Sequence, residues 1–124
     1  MKKFLLKINK RRVKAIEFGE ENLKMDRIQS IVDNYDYLNC PLIDDNNKFT
    51  SLNALIAVLG IHSEFDFNFI HKRWYLGPKE DQYLLSKDNG HWEKMFKDIE
   101  DLLNFKFENK TLKNNWNEIV VNEL

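Results

Sequence analysis

A short apolar segment at residues 50–60 constrains the fold of this chain more than any other feature. Its sequence is Thr-Ser-Leu-Asn-Ala-Leu-Ile-Ala-Val-Leu-Gly. Leucine and isoleucine recur at helical spacing along one side, and alanine and valine fill most of the other. A helix that is apolar nearly all round belongs inside a fold. We therefore predict a buried central helix, capped by Thr50 or Ser51 and ended by a left-handed turn at Gly60.

The chain is long enough to cover such a helix within one domain, which we predict to span residues 1–124. Of its 124 residues, 43% are hydrophobic and 31% are charged, as in globular proteins. No apolar run approaches the roughly 20 residues that cross a bilayer, so no membrane association is expected. The single cysteine, Cys40, cannot form an internal disulfide. This fits a reducing compartment, and we expect a cytoplasmic protein.

Hydrophobic spacing on either side of the central helix predicts an α+β fold. Alternation near the N-terminus predicts a β-hairpin that turns at residues 9–11, with a continuous helix as the competing interpretation. Amphipathic helices at residues 20–38 and 92–103 are predicted to cover the central helix. Residues 77–81, which run from Gly77 and Pro78 to Asp81, predict the turn of a second hairpin near residues 73–85.

Two segments fit more than one structure. Residues 61–76 alternate like a strand, yet they also have helical spacing with Ser63 as a cap. The tail from Leu112 has helical spacing, whereas residues 118–121 also fit a short strand.

A helix beginning at Ser63 would complete the element order of a winged-helix domain, which makes nucleic-acid binding one alternative function. The residues of that helix argue against it, because Glu64 and Asp66 would repel phosphates. Only three N-terminal residues suit phosphate contacts in this alternative: Lys10, Arg11 and Arg12.

Catalytic and metal-binding signatures are weak. His62, His71 and His91 are far apart in the sequence, and Cys40 has no partner cysteine at ligand spacing. No metal site is therefore predicted. A small enzyme that pairs Cys40 or a carboxylate with one histidine is a second alternative, because such groups can meet only in space.

The sequence lacks residues that calcium-binding and phosphate-binding motifs require. Residues 44–47 have the oxygen density of a calcium loop, but Phe49 and Leu55 occupy the places of its glycine and glutamate. The four glycines stand alone, and no glycine-rich phosphate loop occurs. We expect no cofactor.

Charge is distributed unevenly along the chain. Residues 2–14 hold seven basic groups and no acid, whereas the rest holds twelve basic and twenty acidic residues. Acids and tyrosines concentrate within residues 33–45, and two of the acids fall in the last turn of a predicted helix, where the helix dipole disfavours them. The candidate partner-binding residues are Asp33, Tyr35, Asp36, Tyr37, Asp44 and Asp45.

These observations favour a non-catalytic protein-binding module. Tyrosines are rigid anchors, and carboxylates around them suit a basic partner surface. The specific hypothesis is an inhibitor or immunity-type protein that covers the basic active site of a partner such as a nuclease. Local rules broken without compensation tend to mark functional sites, which is why the misplaced acids carry this hypothesis.

Overall fold

The computed structural model describes residues 25–61 and 64–124. The predicted N-terminal hairpin and the basic residues Lys10, Arg11 and Arg12 lie outside the described residues. No helix in the described ranges has the length and apolar character needed to cross a bilayer. The helices and strands, in chain order, are α1 (Met25–Asn34), α2 (Leu52–Gly60), β1 (Phe65–Phe69), β2 (Lys72–Lys79), β3 (Gln82–Lys87), β4 (Trp92–Phe96), α3 (Ile99–Asn104) and β5 (Val120–Glu123).

The central helix is confirmed as α2. Its residues 54–59 are each at most 1% exposed. The Ser51 hydroxyl accepts a hydrogen bond from the backbone N–H of Ala54 at 3.0 Å, so the predicted cap is correct. The predicted left-handed turn at Gly60 is wrong, because the helix caps at Ile61 with φ −88°. Gly60 instead permits close packing: a Cβ placed on it would lie 2.2 Å from Cγ2 of Val32 in α1.

The five strands form one antiparallel sheet in the order β4-β3-β2-β1-β5. Alternation in β1 buries Phe65, Phe67 and Phe69 in the core shared with the helices, while Asn68 is exposed. On the same inner face, Val121 of β5 lies opposite Phe67. The predicted α+β class is therefore confirmed, with helices and a sheet enclosing one core.

The second hairpin is confirmed as β2 and β3, with its turn inside the predicted segment 77–81, although that turn is shorter because residues 77–79 extend β2. Glu80 and Asp81 form the turn, with φ of 51° and 66°. Gly77 lies inside β2 beneath the ring of Tyr75. Pro78 is tolerated because β1 ends its pairing with β2 two residues earlier, so no described strand needs the missing N–H.

The predicted helix over residues 92–103 is wrong in its first half, which is the strand β4. Trp92 and Phe96 are four residues apart, a spacing that fits one side of a strand as well as one turn of a helix. Asp98 separates the two elements, since its carboxylate accepts from the N–H of Asp101 at 2.8 Å and caps α3.

The other ambiguous segments resolve mainly as strands. Residues 61–76 contain β1, a tight turn and the start of β2, so the helix that a winged-helix domain requires there is replaced by a strand. The C-terminal segment has one short turn of 3₁₀ helix followed by β5. The helix predicted over residues 20–38 ends earlier, at Asn34.

Candidate protein-binding turn

Residues 35–40 form a tight turn directly after α1, and Asp36 holds this turn together. Its carboxylate accepts the backbone N–H groups of Leu38 and Asn39, both at 3.2 Å. It also accepts the side-chain amide of Asn39 at 2.9 Å. The Asp36 carbonyl accepts the N–H of Cys40 at 2.9 Å. The backbone of the turn is thus fixed by hydrogen bonds within the turn itself.

These bonds correct the electrostatic argument made from the sequence. Asp36 lies beyond the end of α1, so it does not occupy the unfavourable last helical turn. The side-chain amide of Asn39, followed by backbone N–H groups, lowers the pKa of Asp36. Asp33 does lie in the last turn, where its carboxylate accepts the side-chain amide of Gln29 at 2.8 Å. Of the two acids assigned to the last helical turn, only Asp33 lies there, and Asp36 instead stabilises the turn that follows the helix.

The turn displays apolar surface to solvent. Leu38 is 95% exposed and Tyr37 is 44% exposed. The Tyr37 ring packs edge-on against Tyr35 with 4.9 Å between ring centroids. Tyr35 is half-buried, and its hydroxyl donates to the carbonyl of Pro41 at 3.3 Å. A rigid turn with a supporting aromatic pair thus projects a leucine that has little contact with its own fold.

A groove of about 720 Å³ with a mixed polar and apolar lining lies beside the turn, between the end of α1 and the start of α2. Thr50 and Pro41 line one wall of the groove, and a hydrogen bond from the Thr50 hydroxyl to the Pro41 carbonyl at 2.7 Å joins them. Side-chain amides and Asp36 give the groove both donors and acceptors. The polar lining includes Ser30, Asn34, Asp36, Asn39, Thr50 and Asn53.

The other two candidate acids belong to a different turn. The Asp44 carboxylate accepts the backbone N–H groups of Asn46 at 2.8 Å and Lys48 at 3.1 Å. Asp44 therefore stabilises its own turn, as Asp36 does in the 35–40 turn. Asp45 beside it is exposed. Neither lines the groove. Tyr35, Asp36 and Tyr37 thus share one turn, and Asp44 and Asp45 share another.

The candidate acids form no ion pair with a basic side chain among the described residues. None of the three ion pairs found in residues 25–61 and 64–124 involves them. Residues 25–61 carry five aspartates against two basic side chains, Arg27 and Lys48. This part of the surface is therefore acidic.

Cys40 and His71 are not brought together, whereas His71 shares a groove with the carboxylates of Glu108 and Glu118. Cys40 lines the groove beside the turn, whereas His71 lines another groove that shares no residue with it. His91 is exposed, and His62 lies outside the described residues. Within the described ranges there is no group of three or more metal-ligating side chains placed to hold an ion.

Leu38 was missed by the sequence reasoning, which assigned it to the buried side of a long helix. The available signal was the spacing of Asp36 and Asn39 just before Cys40 and Pro41. An aspartate followed by a residue able to hydrogen-bond with it favours a turn over a continuing helix. Comparison of the chain with protein-family models, with curated proteins and with solved structures finds no match.

Proposed function

We propose that this chain is a non-catalytic protein-binding module whose contact surface is the 35–40 turn. The single observation that supports this most is Leu38, a large apolar side chain that is 95% exposed at the tip of a rigid turn. Exposing it costs apolar burial that a partner pocket would recover. Because the turn is already fixed by Asp36, little backbone ordering would be needed on binding.

The chemistry of the turn supports one class of partner over others. Leu38 and Tyr37 suit an apolar hollow, and the excess of aspartates within residues 25–61 suits a basic rim. Tyrosine with a neighbouring apolar anchor is typical of binding hot spots. An enzyme with a basic active-site cleft, such as a nuclease, has this combination, so we propose an inhibitor or immunity-type role. The nucleic-acid-binding and enzyme alternatives stay predictions.

Site-specific photo-crosslinking tests the contact. A benzophenone amino acid replaces Tyr37, and in a matched control the same group replaces Lys79, which is exposed at the end of β2. We expect one basic protein to be crosslinked from position 37 and not from position 79. Excess wild-type chain should abolish the crosslink, and the same excess of Leu38→Ser chain should reduce it less.

The inhibitory role is tested separately on the captured partner. If the partner is an enzyme, stoichiometric addition of wild-type chain should abolish its activity, and the association rate should fall as salt rises, because opposite charges steer the encounter. A partner that binds with full activity would overturn the inhibitor role and leave the contact surface standing. Equal crosslinking from positions 37 and 79 would overturn the contact surface.

A further inference from the structure

The two edges of the described sheet differ in how they are protected. At the β5 edge, the N–H of Val121 donates to the carbonyl of Asn47 at 2.8 Å, so a loop closes that edge. At the β4 edge, three consecutive residues, Glu93, Lys94 and Met95, are exposed although they alternate between the two sides of the sheet. Of the five described strands, β4 therefore has the accessible edge, which is a template for pairing with another strand.

We propose that a second copy of this chain pairs antiparallel with β4 across a two-fold axis at Met95. Residues directly opposite each other in an antiparallel pair point to the same side of the sheet. The axis must therefore pass through a residue position, and the exposed part of the strand offers three choices: Glu93, Lys94 or Met95.

Side-chain chemistry selects one of the three registers. An axis at Glu93 opposes two glutamates, and an axis at Lys94 opposes two lysines, both of which destabilise the pair. An axis at Met95 opposes two methionines, which are 37% exposed in the single chain. The same register sets Glu93 opposite Lys97 of the other copy, a favourable charge pair. Among the three registers, only the one centred on Met95 therefore places compatible side chains opposite each other.

The surface beside β4 has room for the approaching strand. A groove of about 510 Å³ runs along residues 94–97, and its far wall includes Asp101 and Asn104 of α3. Exposed amide and carboxylate groups there can accept or donate to the incoming strand. The surface shares no residue with the 35–40 turn, so this proposal is independent of the proposed function.

Register-specific crosslinking of the full chain tests the pairing. In a Cys40→Ser background, Met95→Cys places two thiols opposite each other at a Cα separation of about 5 Å, which suits a disulfide. Lys94→Cys is the matched control, because its counterpart in this register is Phe96. We expect a disulfide-linked dimer from the position-95 variant and little from the position-94 variant under mild oxidation.

Sedimentation of the cysteine-free chain gives a second readout, with concentrations from nanomolar to near-millimolar. We expect a reversible dimer that Met95→Lys weakens about tenfold, because it replaces the apolar contact with opposed charges. Met95→Leu should preserve the dimer. Circular dichroism of each variant confirms that it folds. A chain that stays monomeric at every concentration, or equal crosslinking at positions 94 and 95, would overturn the proposal.

Discussion

At the scale of single residues, Asp36 shows how one carboxylate can serve structure where its sequence context suggested function. Negative charge near the end of a helix is unfavourable only if the helix continues to that point. Because α1 ends at Asn34, Asp36 is free to bind the N–H groups of the following turn. The acid therefore shapes the turn, and Leu38 is the most exposed large apolar side chain on it.

Removing the Asp36 carboxylate should loosen the turn. In Asp36→Ala we expect faster hydrogen exchange at the amides of Leu38 and Asn39, because both lose their acceptor. Asp36→Asn is the matched control. Its side-chain carbonyl can still accept a hydrogen bond, so its exchange rates should lie between those of the wild type and those of Asp36→Ala. Unchanged exchange in the alanine variant would contradict the role of Asp36 as the organiser of the turn.

The same carboxylate predicts a pH dependence of the turn. Its pKa in the folded chain lies below the ordinary value of 3.8. A lowered folded-state pKa means that stabilisation is complete above the ordinary value and is lost as pH falls through the lowered one. The exchange rates of the Leu38 and Asn39 amides, corrected for intrinsic chemistry, should therefore rise only in strongly acidic solution. Asp36→Asn should remove this acid transition, and its persistence in that variant would assign it to another group.

Gly60 provides a test of packing between α1 and α2. Gly60→Ala places a methyl group 2.2 Å from Val32, so we expect the free energy of unfolding to fall by about 1–3 kcal/mol in urea titrations. Gly77→Ala is the matched control, since its new methyl meets the movable end of Tyr75 and should cost less. Adding Val32→Ala should recover part of the Gly60→Ala loss. Strict additivity of the two changes would contradict the contact.

At the scale of elements, a helix or strand was predicted correctly where its local hydrophobic pattern fits only one kind of secondary structure, and wrongly where the pattern fits two. The α2 segment is apolar on every side and flanked by a serine cap, so only a buried helix satisfies it. Strand β4 was misassigned because apolar residues four apart satisfy both a helix and a strand. The deciding contact is the ladder with β3, in which Trp92 lies opposite Lys87, and no local sequence signal specifies that partner.

The turn between β2 and β3 shows the same limitation. The sequence predicted a turn over residues 77–81, yet only Glu80 and Asp81 form it, both in the left-handed conformation. Register fixed the turn, because Leu76 and Leu85 must both face the core and lie opposite each other. The cost of two left-handed non-glycine residues is offset by that burial.

Relieving this cost should stabilise the hairpin. Glu80→Asn combined with Asp81→Gly supplies the residues that this two-residue turn prefers, and we expect the free energy of unfolding to rise by about 1 kcal/mol. Glu80→Gln removes the neighbouring charge without relieving the backbone and should have a smaller effect. Urea denaturation of the three chains measures the difference. Lower stability in the Asn-Gly variant would contradict the assigned turn.

At the scale of the whole molecule, the sequence grouped six candidate partner-binding residues, whereas the structure distributes them over α1 and two separate turns. Tyr35, Asp36 and Tyr37 do share one turn, but Asp44 caps another. The sequence could not separate them, because the loop between Asp36 and Asp44 has no periodicity from which its path follows. It also could not reveal the exposure of Leu38, which depends on α1 ending four residues before it.

The central claim is that the 35–40 turn is the surface through which this chain binds a basic protein partner. The most direct measurement is the dissociation constant of the partner crosslinked from position 37, determined for the wild type, for Leu38→Ser and for the distant control Lys79→Ser. We predict at least a tenfold weaker affinity for Leu38→Ser, roughly 1.4 kcal/mol or more, and an unchanged affinity for the control. Equal affinity of the wild type and Leu38→Ser would contradict the claim.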